Sequence, residues 1–333
     1  MRTLLLHIAG GYSLRETVVL AKSSGIADVS DVALLKRLRR AEEWFKALAG
    51  ALFRESGMSI PRCAKQVRMR LVDGTIVKEP GKTGSQWRFH YSLQIPNLIC
   101  DSFKLLPVNG EGVGESFEHF PVNKNDCVIG DRGYSTARGI RYITDQQGHV
   151  IVRVNTAALK FHHYLGAPFD LLKAIGSLSV FGQLQEWSVV IPCPDSGHIE
   201  GGVCAIRKSE HAIQLALKKL RREASKKQKI LQPETLEYAQ YVIVFTTLPV
   251  ISFQVADVLE WYRVRWQMEL IFKRLKSLTG LGHLPKYDEA SSRAWLYGKL
   301  FIGLLTEKLL QYATRISPWG YLVAKNGCPK QLA

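Results

Sequence analysis

Tyr262-Arg263-Val264-Arg265-Trp266-Gln267-Met268-Glu269-Leu270-Ile271-Phe272-Lys273-Arg274-Leu275-Lys276 is the stretch on which the reading of this chain turns. Tyr262, Arg265, Glu269 and Lys276 stand at offsets 0, 3, 7 and 14. At about 100° per residue, one helix puts all four within an arc of roughly 60°. Trp261, Val264, Met268, Phe272 and Leu275 form an apolar stripe beside them. Such a helix packs by one stripe and presents, next to it, an acid, two cations and a phenol. An acid between cations suits a site that holds a metal ion and grips phosphate at once. An amphipathic helix with a polar edge explains the spacing equally well, so the rest of the chain decides.

The chain has 333 residues, enough for two domains or for one domain with a large insertion. A hydrophobic content of 46% is ample for a packed core. Lys and Arg number 45 against 29 Asp and Glu, a net charge of +16. That surplus implies a polyanionic partner, nucleic acid before membrane. No apolar run reaches the length of a membrane span, and Met1-Arg2-Thr3-Leu4-Leu5-Leu6 reads as part of a buried helix rather than a signal peptide. Cys63, Cys100, Cys127, Cys193, Cys204 and Cys328 are scattered, with no C-x-x-C pair. This argues against a zinc site or a disulfide framework and predicts a reduced, cytoplasmic protein.

Residues 13–50 read as helices. Ser13 and Glu16 form a capping box, Ser23-Ser24-Gly25 breaks the first helix, and a second runs from about Ser30 to Phe45. Lys36, Arg37, Arg39 and Arg40 make this helical pair a candidate DNA-binding unit, a solvated basic face being the plainer alternative. The period then changes to two. Strands are expected over 67–73, 87–93, 101–108, 128–131 and 149–154, with a helix from Ser135 between the last two. Antiparallel-looking strands followed by strand, helix and strand describe a mixed α/β sheet. Residues 156–236 interrupt this alternation with strand-like pieces at 187–192 and 201–207 and a basic helix over 209–229. Arg207, Lys208, Lys218, Lys219, Arg221, Arg222, Lys226, Lys227 and Lys229 face only Glu210 and Glu223 there, which predicts phosphate contact. The sheet resumes at Tyr241–Thr246, the helix of the opening stretch spans about 253–278, and a helical end covers 290–314. The expected organisation is a helical region over 1–60, a core split into 61–155 and 237–285 around an insertion at 156–236, and a helical end over 286–333.

Asp73 falls at the expected end of the first strand, Asp131 at the end of the fourth, and Glu269 in the helix beyond the insertion. Carboxylates at strand ends point into the crevice where α/β proteins place ligands. Three acids brought together repel one another unless a cation intervenes. An oxygen-only donor set suits Mg²⁺ or Mn²⁺, and two ions can activate a water or a 3′-hydroxyl and stabilise the leaving oxygen of a phosphodiester. Each acid alone has a plainer reading: an Asp-Gly turn, a helix cap, a partner for Arg265.

Asp73-Gly74-Thr75, Asp131-Arg132-Gly133-Tyr134 and the Y-x2-R-x3-E-x6-K run together resemble the three catalytic blocks of bacterial DDE transposases of the insertion-sequence-four family, over about residues 13–315. The resemblance implies a ribonuclease-H-like mixed sheet with a β-rich, basic insertion before the catalytic glutamate and an N-terminal helical DNA-binding region. It implies cut-and-paste transposition, with two Mg²⁺ (or Mn²⁺) on Asp73, Asp131 and Glu269, and Tyr262, Arg265 and Lys276 on phosphates. The partners implied are double-stranded DNA, as terminal inverted repeats and target, and a second copy of the chain on paired ends. Relatives stack a flipped base on an insertion tryptophan, for which Trp187 is the candidate; a core tryptophan is the plainer reading.

Against the family pattern the chain starts almost inside a helix, and Gly327-Cys328-Pro329-Lys330-Gln331-Leu332-Ala333 reads as an abbreviated end. A copy shortened at both ends suggests the alternatives of an inactive or inhibitory DNA-binding transposase, or of a metal-dependent nuclease without strand transfer.

Overall fold

The computed structural model describes residues 1–55, 67–78, 86–95, 99–108, 112, 114–193, 197–282, 284–285 and 288–316. Cys63, Cys328 and the end at 327–333 lie outside the described residues; among the described residues Cys100, Cys127, Cys193 and Cys204 form no disulfide. The chain divides into two compact units, one of residues 1–58, 78–85 and 274–333, the other of 59–77 and 86–273. Among the described residues no helix is long and apolar enough to cross a membrane.

The first unit is helical. α1 (Arg2–Gly10) buries Leu4, His7 and Ile8 and stops at Gly11, whose φ of 67° is the left-handed cap that glycine adopts without strain. α2 (Leu14–Ser23) starts on the expected capping box: Glu16 N donates to Ser13 Oγ (3.2 Å) and Ser13 N to Glu16 Oε2 (2.8 Å). The helix expected over 30–45 is two helices, α3 (Asp31–Arg39) and α4 (Glu42–Glu55). The break lies at Arg40 and Ala41, whose amides bond back only three residues, to Arg37 O and Leu38 O. The restart turns Phe45 and Ala49 into the core with Leu34 and Leu38. α11 (Glu289–Ile316) packs on α4. α1 also packs on α11, and Gly298 allows this, because a Cβ there would meet Ile8 Cδ1 at 2.5 Å. Arg293 clamps Glu42 (2.6 Å), and Arg39 donates to both oxygens of Asp288 (3.2 Å each).

The second unit is a mixed α/β fold around one eight-stranded sheet. Its strands are β1 (Arg68–Lys78), β2 (Gln86–Gln94), β3 (Ile99–Pro107), β4 (Asp126–Gly130), β5 (His149–Arg153), β6 (Leu184–Cys193), β7 (Gly197–Arg207) and β8 (Tyr241–Thr246). The order is β3-β2-β1-β4-β5-β8-β7-β6, with β1, β4 and β5 parallel and β8, β7 and β6 added antiparallel. β6 and β7, from the stretch read as an insertion, extend the same sheet through β8. Five helices belong wholly to this unit: α5 (Ala137–Asp145), α6 (Leu171–Gly176), α7 (Glu210–Lys226), α8 (Pro233–Tyr238) and α9 (Val255–Arg263); α10 (Trp266–Ser277) begins in it. One face of the sheet is covered by Phe117, Phe120, Tyr134, Ile140 and Ile143 over Val128, Val150 and Val152, all buried. At the opposite end of β1, Asp126 takes Arg68 (2.5 and 2.6 Å) and Arg70 (3.0 Å), and Arg70 also pairs with Asp101 (2.7 Å). A fully buried arginine is tolerated there because two carboxylates, Ser92 Oγ and Pro121 O receive its donors.

Candidate active site

Parallel pairing builds the site. Leu71 is the partner of Ile129 across β1 and β4. Two residues further along stand Asp73, still within β1, and Asp131, just past the end of β4, so the register brings the two acids near one another. Asp73 is not in a turn: β1 runs through Asp73-Gly74 to Lys78. Asp131 sits one residue beyond β4 and caps the single helical turn Arg132–Tyr134, accepting from Arg132 N (2.7 Å).

The helix expected over 253–278 is broken. α9 ends at Arg263 and α10 starts at Trp266. The amides of Arg265, Gln267 and Met268 bond to carbonyls only three residues back, each at 3.0 Å. Three-residue winding advances about 120° per residue, so Tyr262 and Glu269 do not share the arc of one ideal helix. The break places Arg265 between acids instead. Its guanidinium lies 3.7 Å from Asp73 and 2.7 Å from Glu269, and it is largely buried while Glu269 is open to solvent. Burial works against the charge on Arg265, but Asp131, Tyr262, Glu269 and Asp73 outweigh it and hold the guanidinium above its ordinary value. Tyr262 is buried, and burial with the Asp131 charge pushes its phenol up. Lys276 lies in the last turn of α10, in the part of the chain that belongs to the helical unit.

Asp73 is the perturbed acid. Burial pushes its carboxyl up to about 6, with Asp131 and Glu115 adding to the rise and the Gly74 amide (2.7 Å) and Arg265 opposing it. Among the described residues no three His, Cys, Asp or Glu side chains stand close enough together to hold a metal ion. The donor chemistry nevertheless suits a hard cation: Asp73, Asp131 and Glu269 offer only carboxylate oxygens, and the buried one already carries the penalty of neighbouring negative charge.

Beside Asp131 opens a cavity of about 340 Å³ lined by Arg132, Arg153, Lys208 and Lys219, with Tyr238 and Glu223. Burial, with Arg153 and Arg132 nearby, pushes the Lys208 amine down to about 8. Half-buried Arg153 and Lys208, with the exposed Arg132 and Lys219, outnumber Asp131 and Glu223 around this cavity, an arrangement that favours an anion. The sequence reading did not include Arg132, Arg153 or Lys208 in the site. Arg153 had a signal, a charge at the end of a parallel strand beside Asp131; Lys208 was noted only within the basic run. Lys218, Arg221 and Arg222 are exposed on α7, as is Lys219 at the cavity rim. In the helical unit Lys36, Arg37 and Arg40 are exposed at the end of α3, whereas Arg39 is engaged by Asp288. Trp187 is half-buried on β6, near Phe169, and packs against the core.

The family pattern described as "Transposase DDE domain" matches residues 111–305. Transposase InsL of insertion sequence element IS186A from Escherichia coli K12 is 31% identical over 325 residues, covering 96% of this chain and 86% of that one. The transposase of insertion sequence element IS421 from Escherichia coli is 31% identical over 316 residues, covering 93% and 83%. On the family match and on identity over nearly its whole length, this chain belongs to the DDE-domain transposases of insertion sequences.

Proposed function

We propose that the chain carries out cut-and-paste transposition by the insertion-sequence-four chemistry, with Asp73, Asp131 and Glu269 as its catalytic and metal-binding acids. The observation that carries this is the parallel register of β1 and β4, which brings Asp73, inside β1, near Asp131, just past β4, with Arg265 linking Asp73 to Glu269. When bound, Mg²⁺ or Mn²⁺ would activate a water or 3′-hydroxyl and stabilise the leaving oxygen of a phosphodiester. Arg265 presents a two-pronged donor to the phosphate at the acids, and Tyr262 beside it offers a hydroxyl. Lys276 is assigned to phosphate on the family motif. Arg132, Arg153, Lys208 and Lys219 receive the DNA backbone in the cavity beside Asp131, and the outer cations of α7 continue that track. Lys36, Arg37 and Arg40 give the helical unit its own exposed basic edge for DNA. Joining two transposon ends to one target requires two active sites, hence a pair of chains on paired ends.

The test is cleavage of a plasmid carrying the DNA that flanks the reading frame, in Mg²⁺. Asp73→Ala, Asp131→Ala and Glu269→Ala should each abolish cleavage and leave DNA binding near the original, because lysine and arginine contacts supply most affinity. Cleavage by Glu269→Ala at the normal rate would remove Glu269 from the site.

A further inference from the structure

We propose that Glu115 is a fourth carboxylate of the catalytic ion site, held by Arg88 over Gly133 and acting on the ion through its water ligands. The proposal rests on the metal-dependent reading above and adds to it a residue that lies in none of the three motif blocks. Glu115 precedes β4 in the connection from β3. Its Oε2 occupies the place a Cβ on residue 133 would take, so the Asp131-Arg132-Gly133-Tyr134 turn admits this carboxylate only because residue 133 is glycine. Gly133 is not among the glycines with positive φ, so room for Glu115, not backbone freedom, is what the structure offers as the reason for glycine. Arg88 Nη1, from β2, donates to Glu115 Oε1 at 3.2 Å and fixes the other oxygen over the turn. The ion pair stands beside the site: Arg88 Cδ lies 3.9 Å from where a Cβ on Gly74 would stand, next to Asp73, and the Glu115 charge adds to the rise of the Asp73 carboxyl.

A second observation points to a ligand in the same place. The Tyr134 hydroxyl is fully buried and has no hydrogen-bond partner, and it lies 3.6 Å from where a Cβ on Gly74 would stand, next to Asp73. His90, also fully buried, points Nδ1 to the same spot at 3.6 Å, and neither of its ring nitrogens has a partner. Buried polar groups left unmatched cost about 1–3 kcal/mol each. Mg²⁺ keeps several of its waters when carboxylates bind it. Such waters would partner these groups, and would let acids that do not converge on one point serve one ion.

Mn²⁺ binding by the full chain, read from the electron paramagnetic resonance of free Mn²⁺, tests this without any reaction. Glu115→Gln should weaken Mn²⁺ by about tenfold or more, the usual effect of losing an outer partner, and Asp131→Asn should remove binding. Gly133→Ala, which displaces Glu115, should weaken Mn²⁺ about as much as Glu115→Gln, and adding Gly133→Ala to Glu115→Ala should cost nothing further. Wild-type Mn²⁺ affinity in Glu115→Gln, with binding lost in Asp131→Asn, would overturn the role of Glu115 alone. Undiminished binding in Asp131→Asn would overturn the metal reading with it. If Glu115→Gln fails to fold, as judged by circular dichroism, the Gly133→Ala pair decides: equal losses from Gly133→Ala with and without Glu115 would sink the proposal.

Discussion

Leu71 and Ile129 are partners in a parallel strand pair, so Asp73 and Asp131, two residues further on, lie close together, the first inside β1 and the second just past β4. The closeness has a thermodynamic consequence. The Asp73 carboxyl is pushed up from 3.8 to about 6, mainly by burial and further by Asp131 and Glu115. An acid whose value rises on folding binds its proton more tightly in the native state, so ionising it opposes folding. The cost is absent below about pH 4, grows as pH climbs toward 6, and is fully present above. Asp73→Asn removes it. The variant should be more stable than the parent at pH 8 by up to about 3 kcal/mol, at about 1.4 kcal/mol for each pH unit of the rise, and should lose its advantage near pH 4. Urea unfolding at the two pH values checks this; equal stability at pH 8 would show that Asp73 carries no penalty.

Arg265 reaches Asp73 and Glu269 with separate nitrogens of one planar group. A lysine keeps the charge but not the fork. Arg265→Lys should therefore slow single-turnover cleavage on the order of 10²-fold, the scale of losing one aimed donor in a site. DNA affinity should change little. Single-turnover rates equal to those of the parent would remove Arg265 from the chemistry.

The sheet was legible because its strands alternate or run apolar to a turn. Asp73 and Asp131 could be singled out as candidates because each follows such a run. What could not be read is instructive. Asp73-Gly74 looks like a turn, yet β1 continues through it. The period of residues 253–278 is that of one helix, and nothing in it announces the three-residue winding at Arg265, whose guanidinium lies 3.7 Å from Asp73 of β1. Arg153 and Lys208 come to one cavity through strand pairing, the first at the end of β5 and the second just past β7. Glu115 carries no local signal at all, since its position depends on Arg88 from β2 and on the bare turn at Gly133.

Asp126 is the acid that holds the non-catalytic end of β1. It is buried, and it receives Arg68, Arg70 and the Asn123 amide (3.0 Å). Removing one member of a buried pair strands the other's charge. Asp126→Ala should destabilise by about 3–5 kcal/mol, and Asp126→Asn by less, because the amide oxygen still accepts from Arg68. Thermal melts of the two variants measure the difference. A melting temperature unchanged in Asp126→Ala would show that Asp101 alone satisfies Arg70.

The basic helix offers the last test. Lys218, Lys219, Arg221 and Arg222 are exposed on α7, and Lys219 stands at the cavity that also contains Asp131. If these cations follow the DNA backbone, they release condensed counterions on binding. Each phosphate contact then contributes about 0.9 to the slope of log affinity against log salt. Changing all four to Gln should flatten that slope by about two to four. Specific and random duplexes should weaken alike, because phosphate contacts carry no sequence information. Anisotropy titrations at several salt concentrations decide. A slope that does not change would mean that α7 is only a solvated helix, and that the DNA backbone is held by the other cavity cations Arg132, Arg153 and Lys208 or by the exposed basic edge of α3.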